Sequence, residues 1–225
     1  VEPAARADDG GTSGRAYLAG WVGWVTMGES LGFLAPALAQ FVAATFLPDA
    51  LFGLLVVAGL AEGGILGWFQ ARILRVRLPG LSTARWTVLT GLAAGVAWSV
   101  GMLPSTFAGW QDWPPAARIG AGTLAAVVLL GSIGTAQWLE LRRLQRQHLI
   151  SRAWCWIAGS AAAWAAGLAV FTLVAPPLWQ PGQPAWLIAA IGVVAAVLMA
   201  AAMALVTGLV LVRVVPEAAP EARRG

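Results

Sequence analysis

Apolar residues run along this chain in blocks of roughly 20 or more, the length needed to cross a hydrocarbon core about 30 Å thick, with short polar connections between them. Six blocks stand near 16–43, 50–73, 84–105, 117–142, 152–175 and 185–213. Each is too long for a strand and too uniformly apolar for a half-exposed helix. The pattern predicts an all-α integral membrane protein with six transmembrane helices spread over residues 16–213. The flanking segments 1–15 and 214–225 are polar and predict disordered cytoplasmic tails. Ala37-Leu38-Ala39 resembles a signal cleavage site, but the apolar stretch before it is long and carries Glu29, which predicts a retained span.

The connections alternate in chemistry. Those around 72–85 and 142–152 carry Arg72, Arg75, Arg77, Arg85, Arg142, Arg143, Arg146 and Arg152. The opposite ones, around 44–50, 105–117 and 175–185, hold Asp49 and Asp112 and are rich in Pro, Trp and Gln, with Arg118 at one edge. Basic loops stay on the cytoplasmic side, so both termini are expected inside a bacterial inner membrane. Trp21, Trp24, Trp68, Trp86, Trp138, Trp154 and Trp156 fall near the arginine-flanked ends, and Trp110, Trp113, Trp179 and Trp186 near the others. That distribution predicts two interfacial belts. Trp98 and Trp164 sit deep, where packing is the expected role.

Composition agrees with this class. The chain is 59% hydrophobic and 11% charged, with a mean hydropathy of +0.76. All 14 basic residues are arginine. They mark helix ends and form no single basic face, which excludes a nucleic-acid partner despite a pI near 10.9. Cys155 and His148 are the sole residues of their kinds, so an internal disulfide, a thiolate cluster, a His-based metal site and a bis-histidine haem are all ruled out within one chain. No nucleotide-binding loop and no catalytic triad motif is present, which predicts a non-enzymatic protein without cofactor or metal.

A segment of the chain is written more than once. Gly67-Trp68-Phe69-Gln70-Ala71-Arg72-Ile73-Leu74-Arg75 is echoed by Gly134-Thr135-Ala136-Gln137-Trp138-Leu139-Glu140-Leu141-Arg142, and a decayed copy, Thr207 to Arg213, ends the apolar region. At nearly the same offset Arg85, Trp86 and Gly91 answer Arg152, Trp154 and Gly159. Such copies predict three tandem helical hairpins related by a pseudo-threefold axis along the membrane normal, unlike the inverted repeats of many carriers. Small residues recur every four positions, at Gly59/Gly63/Gly67, Gly91/Gly95, Gly159/Ala163/Gly167 and Gly192/Ala196/Ala200/Ala204/Gly208. These glycine-zipper stripes predict close helix packing, within the chain or against a partner.

The G-x-x-Q-W-x-x-L-R hairpin end, preceded in the first copy by Glu62-Gly63-Gly64-Ile65-Leu66-Gly67, resembles a group of uncharacterised bacterial multipass membrane proteins. The resemblance covers most of the six-helix region and implies a membrane fold without implying an activity.

Two acidic residues interrupt the spans. Glu29 and Glu62 each lie 16 or 17 residues from a turn near 45–46, so at about 1.5 Å per residue they share a depth close to mid-membrane. Burying one acid there costs on the order of 2–4 kcal/mol, which makes the pair a candidate ion, proton or substrate site. The competing role is hydrogen bonding between helices. Two carboxyls together in low dielectric should not both ionise. Glu29 stands one turn before Gly32 and two before Pro36, whose missing N–H frees the carbonyl of Gly32. Gln70 and Gln137 are candidates for a polar ring at a cytoplasmic vestibule, or for hydrogen bonds between repeats. Arg72, Arg75, Arg142 and Arg143 are expected to anchor on lipid phosphate. The leading functional expectation is an accessory or scaffold subunit that binds lipid, itself or partner helices through Gly59, Gly63, Gly67, Gly159, Gly167, Gly192 and Gly208. The alternative is a small proton- or ion-coupled transporter or channel using Glu29 and Glu62, and a lipid-modifying enzyme is the third reading.

Overall fold

Helices account for the whole of the regular structure in this computed structural model, which describes residues 9–106, 109–150 and 152–215. They are α1 (Asp9–Gly32), α2 (Leu34–Phe46), α3 (Leu51–Arg77), α4 (Thr83–Thr106), α5 (Pro115–Arg146), α6 (Cys155–Leu178) and α7 (Ala185–Val214). Together α1 and α2 make one span, so six segments are long and apolar enough to cross a membrane. Their bounds match the apolar blocks to within a few residues. The first helix is already formed at Asp9, so part of the segment expected as a tail belongs to it. Residues 1–8 and 216–225 lie outside the described residues.

Local chemistry explains the interruptions. Pro36 cannot donate to the carbonyl of Gly32, and the first span breaks there. Across the break, the Phe33 N–H donates to the Glu29 carbonyl at 2.9 Å and the Ala37 N–H to that of Phe33 at 3.2 Å. Pro115 opens α5 at its first position, where a missing N–H costs nothing. Gly109 and Gly182 turn the connections before α5 and α7 with φ of +85° and +83°, a conformation that favours glycine.

The spans pack in chain order around a closed ring. α1 lies against α3, α3 against α4, α4 against α5, α5 against α6 and α6 against α7, while α7 returns to α1. Glycine lets the backbones approach. A Cβ on Gly63 would strike Ala94 and come within 2.8 Å of the Thr90 carbonyl; one on Gly67 would come within 2.8 Å of the Thr90 side chain. Gly159 meets Val210, Gly167 meets Met203, and Gly208 meets Leu18 and Trp21. Most of the small-residue stripes are therefore occupied by helices of the same chain. Gly192 has Trp179 near it, at 3.7 Å.

Packing is uneven along the ring. At the arginine-bearing ends Trp21, Trp86, Trp156, Leu74, Leu141 and Leu144 are each 1% exposed or less. Toward the middle and the opposite half the helices border a cavity. Outward, large apolar residues such as Leu38, Phe41, Val57, Ile119, Val127 and Leu173 are exposed, the surface expected of helices solvated by lipid.

Candidate functional site: a carboxylate pair beneath a tryptophan–glutamine layer

Each span turns a row of residues, spaced by about one turn, toward the interior. In α1 the row is Trp21, Val25, Glu29; in α3, running the other way, it is Gln70, Leu66, Glu62. The four-residue spacing keeps each row on one helix face. The rows build two levels.

The level nearer the arginines is a layer of three indole-to-acceptor hydrogen bonds, two of them joined through the glutamines. The Trp86 indole N–H donates to Gln70 Oε1 at 3.1 Å, Trp156 donates to Gln137 Oε1 at 2.8 Å, and Trp21 donates to Thr207 Oγ1 at 3.1 Å. Gln137 Nε2 then donates to Gln70 Oε1 at 2.7 Å and to Thr90 Oγ1 at 2.9 Å. The rings touch as well: Trp156 lies 6.2 Å from Trp21, edge-on, and 5.9 Å from Trp86.

This layer decides one alternative and corrects one expectation. Of the two roles open to Gln70 and Gln137, hydrogen bonding between helices is the one seen: they are 5% and 1% exposed and bond to each other, as buried amides must find partners. Trp21, Trp86 and Trp156 are not interfacial, since buried acceptors hold their N–H groups inside. Trp156 bonds a glutamine as Trp86 does, whereas Trp154 is 62% exposed. Thr207 is the acceptor for Trp21.

The second level holds the acids. Glu29 follows Trp21 by eight residues and Glu62 precedes Gln70 by eight, so both lie about 12 Å from the layer at the α-helical rise. They line one cavity of about 260 Å³. Gly32, one turn beyond Glu29, packs directly on α3: a Cβ there would stand 3.3 Å from Glu62 Cγ. The two carboxyls have different partners. Glu62 Oε2 accepts the Trp98 indole N–H at 2.6 Å. Glu29 is 2% exposed, and neither of its oxygens has a hydrogen-bond partner.

The rest of the cavity wall is apolar and aromatic, with Phe33, Trp98, Trp164 and Phe171 among its residues. Trp98 and Trp164 thus border the acidic site, and Trp98 does more than pack. A much smaller pocket, of about 10 Å³, lies between Glu29 and the Gln70–Gln137–Thr207 layer. Among the described residues no group of three or more His, Cys, Asp or Glu is arranged to hold a metal ion.

The four arginines divide. Arg72 and Arg142 are exposed and stack on Trp68 and Trp138, at 4.8 and 5.1 Å from the ring centres. Arg75 is also exposed. Arg143 is already taken: it pairs with Glu140 Oε1 at 2.6 Å and donates to the Gly80 carbonyl at 2.6 Å. The buried Glu140 carboxylate also receives Arg85 at 3.2 Å and the Ser82 N–H at 2.9 Å. Glu140 therefore ties the α3–α4 connection to α5. In sequence it is one polar position of a helix end; Arg143 is three residues on, but Ser82 lies 58 residues away.

Compared with protein-family models, with curated proteins and with solved structures, the chain matches none of them.

Proposed function

We propose that this protein is a small membrane carrier that exchanges protons or other cations at the cavity held by Glu29 and Glu62. One observation carries the reading. Glu29 is buried on the cavity wall with both oxygens unpartnered, beside a second carboxyl. A carboxylate in such a place needs a counter-charge, and without one it takes a proton. Those two options are the elements of an exchange cycle.

The surroundings support the same reading. The tryptophan–glutamine layer closes the arginine end, as a carrier needs on one side of its site. The break at Gly32–Phe33, one turn from Glu29, supplies a bend through which the first span can move. In this reading the chain lies in a bacterial cytoplasmic membrane with both termini inside. The three indole-to-acceptor bonds, at Trp86–Gln70, Trp156–Gln137 and Trp21–Thr207, support a pseudo-threefold repeat of hairpins.

The test is proton movement. With a cation supplied outside acid-loaded vesicles as the exchange partner, those holding the wild-type chain should dissipate the pH gradient faster than those holding Glu29→Gln or Glu62→Gln at the same protein density. Equal rates in all three would refute the reading.

A second reading, an accessory subunit that docks a partner helix, is favoured by α5. It is the span least covered by its neighbours, and Gly120 and Gly131 on it face open space. Recovery of a stoichiometric partner from native membranes, lost when Gly131 is made bulky, would favour that role.

A further inference from the structure

We propose that the cavity takes a small organic cation with an apolar body, its cationic group against Glu29 and its body among Trp98, Trp164, Phe33 and Phe171. This rests on the carrier reading and names its substrate class. Glu29 presents two buried oxygens to which nothing in the described protein donates. A neutral apolar guest would leave them unpaired, at the cost of a desolvated polar group. An anion would meet two carboxyls.

An inorganic cation fits poorly for a different reason. Hard cations replace their hydration shell with about six or more oxygens. The cavity wall offers the carboxyl oxygens of Glu29 and Glu62 and no other side-chain oxygen, Trp98 already occupies one of the four, and a hard cation would have to complete its shell from water and backbone carbonyls. An organic ammonium has a weakly held shell and needs no such cage. Indole and phenyl rings attract it through their faces, and four such side chains border the cavity. The volume of about 260 Å³ lies just below the range of drug-sized pockets. It suits a body of one ring and a compact cationic head.

The experiment uses the full-length chain in detergent micelles and two probes of one shape. Benzyltrimethylammonium carries a permanent charge; neopentylbenzene is its neutral isostere. Equilibrium dialysis should give saturable binding of the cation, one per chain, undiminished by excess sodium. Glu29→Gln, nearly isosteric, should weaken it at least about tenfold. Ala97→Leu, which adds bulk at a wall residue and leaves both carboxyl side chains in place, should weaken it comparably, so a folding defect in one variant leaves the other to decide. Equal binding of neopentylbenzene to wild type and to Glu29→Gln, with no preference for the cation, would overturn the proposal in favour of an apolar pocket. If no cation binds while the pH gradient still collapses in a Glu29-dependent way, the substrate class is wrong and the carrier reading survives on protons alone. If neither occurs, both fall.

Discussion

Trp98 holds Glu62 by a 2.6 Å hydrogen bond from its indole N–H to Oε2. The effect is to make the two acids unequal, with Glu62 fixed and Glu29 left to meet whatever enters the cavity. Trp98→Phe keeps most of the ring and removes the donor. It should therefore disturb function more than folding: vesicle flux should fall, and the thermal midpoint should shift by an amount equivalent to about 1–3 kcal/mol. Unchanged flux would remove Glu62 from the site.

Breaking the tryptophan–glutamine layer should cost stability as well. Trp156→Phe leaves Gln137 Oε1 without its donor, and Gln137 also joins Gln70 and Thr90. A cost of about 1–3 kcal/mol follows from one stranded buried acceptor. Trp21→Phe should cost less, because Thr207 keeps its own bonds to the Met203 and Ala204 carbonyls. Thermal unfolding of the two variants in one detergent would check the order, and the reverse order would contradict the layer's arrangement.

Glu140 makes a prediction about one connection. Glu140→Ala releases Arg85, Arg143 and the Ser82 N–H together. Both arginines retain contact with water, which limits the loss to about 2 kcal/mol. The 78–82 connection should become cleavable by added protease while the spans stay folded. Protection equal to wild type would show that the pair network does not hold that loop.

Topology is tested by single cysteines in a Cys155→Ala background. Gln111 and Gln183 stand in connections remote from the arginines, and Gln147 beside them. In intact cells an impermeant maleimide should label the first two positions and spare the third. The opposite pattern would invert the protein in its membrane.

Much of the fold was legible because the physics is local. A block of apolar residues long enough to cross lipid has one way to satisfy its backbone, so all six spans follow from hydropathy. Glu29 and Glu62 do border one cavity, but not from equal distances to a turn near 45–46: the turn falls after Phe46 and before Leu51, and Glu62 packs level with Gly32, about one turn from Glu29. The location of Trp21, Trp86 and Trp156 was not legible, because a tryptophan near a helix end reads the same whether its face meets lipid or the axis. Only the acceptor on the neighbouring helix decides. Glu140 escaped for a similar reason: an acid near a helix end reads as solvated until the loop carrying Arg85 and Ser82 folds over it. The small-residue stripes announced close packing, yet which helix they receive is a property of the ring and not of the stripe.

Coupling between proton and cation at Glu29 is the heart of the proposed cycle, and one measurement reaches it most directly. Labelled benzyltrimethylammonium is offered outside vesicles whose interior has been made acidic. Wild-type vesicles should accumulate it above equilibration as protons leave, and should lose that accumulation when the pH gradient is dissipated. Glu29→Gln vesicles should show no accumulation. Uptake that ignores the gradient, or that persists undiminished in Glu29→Gln, would contradict the assignment of Glu29 as the group that trades a proton for a cation.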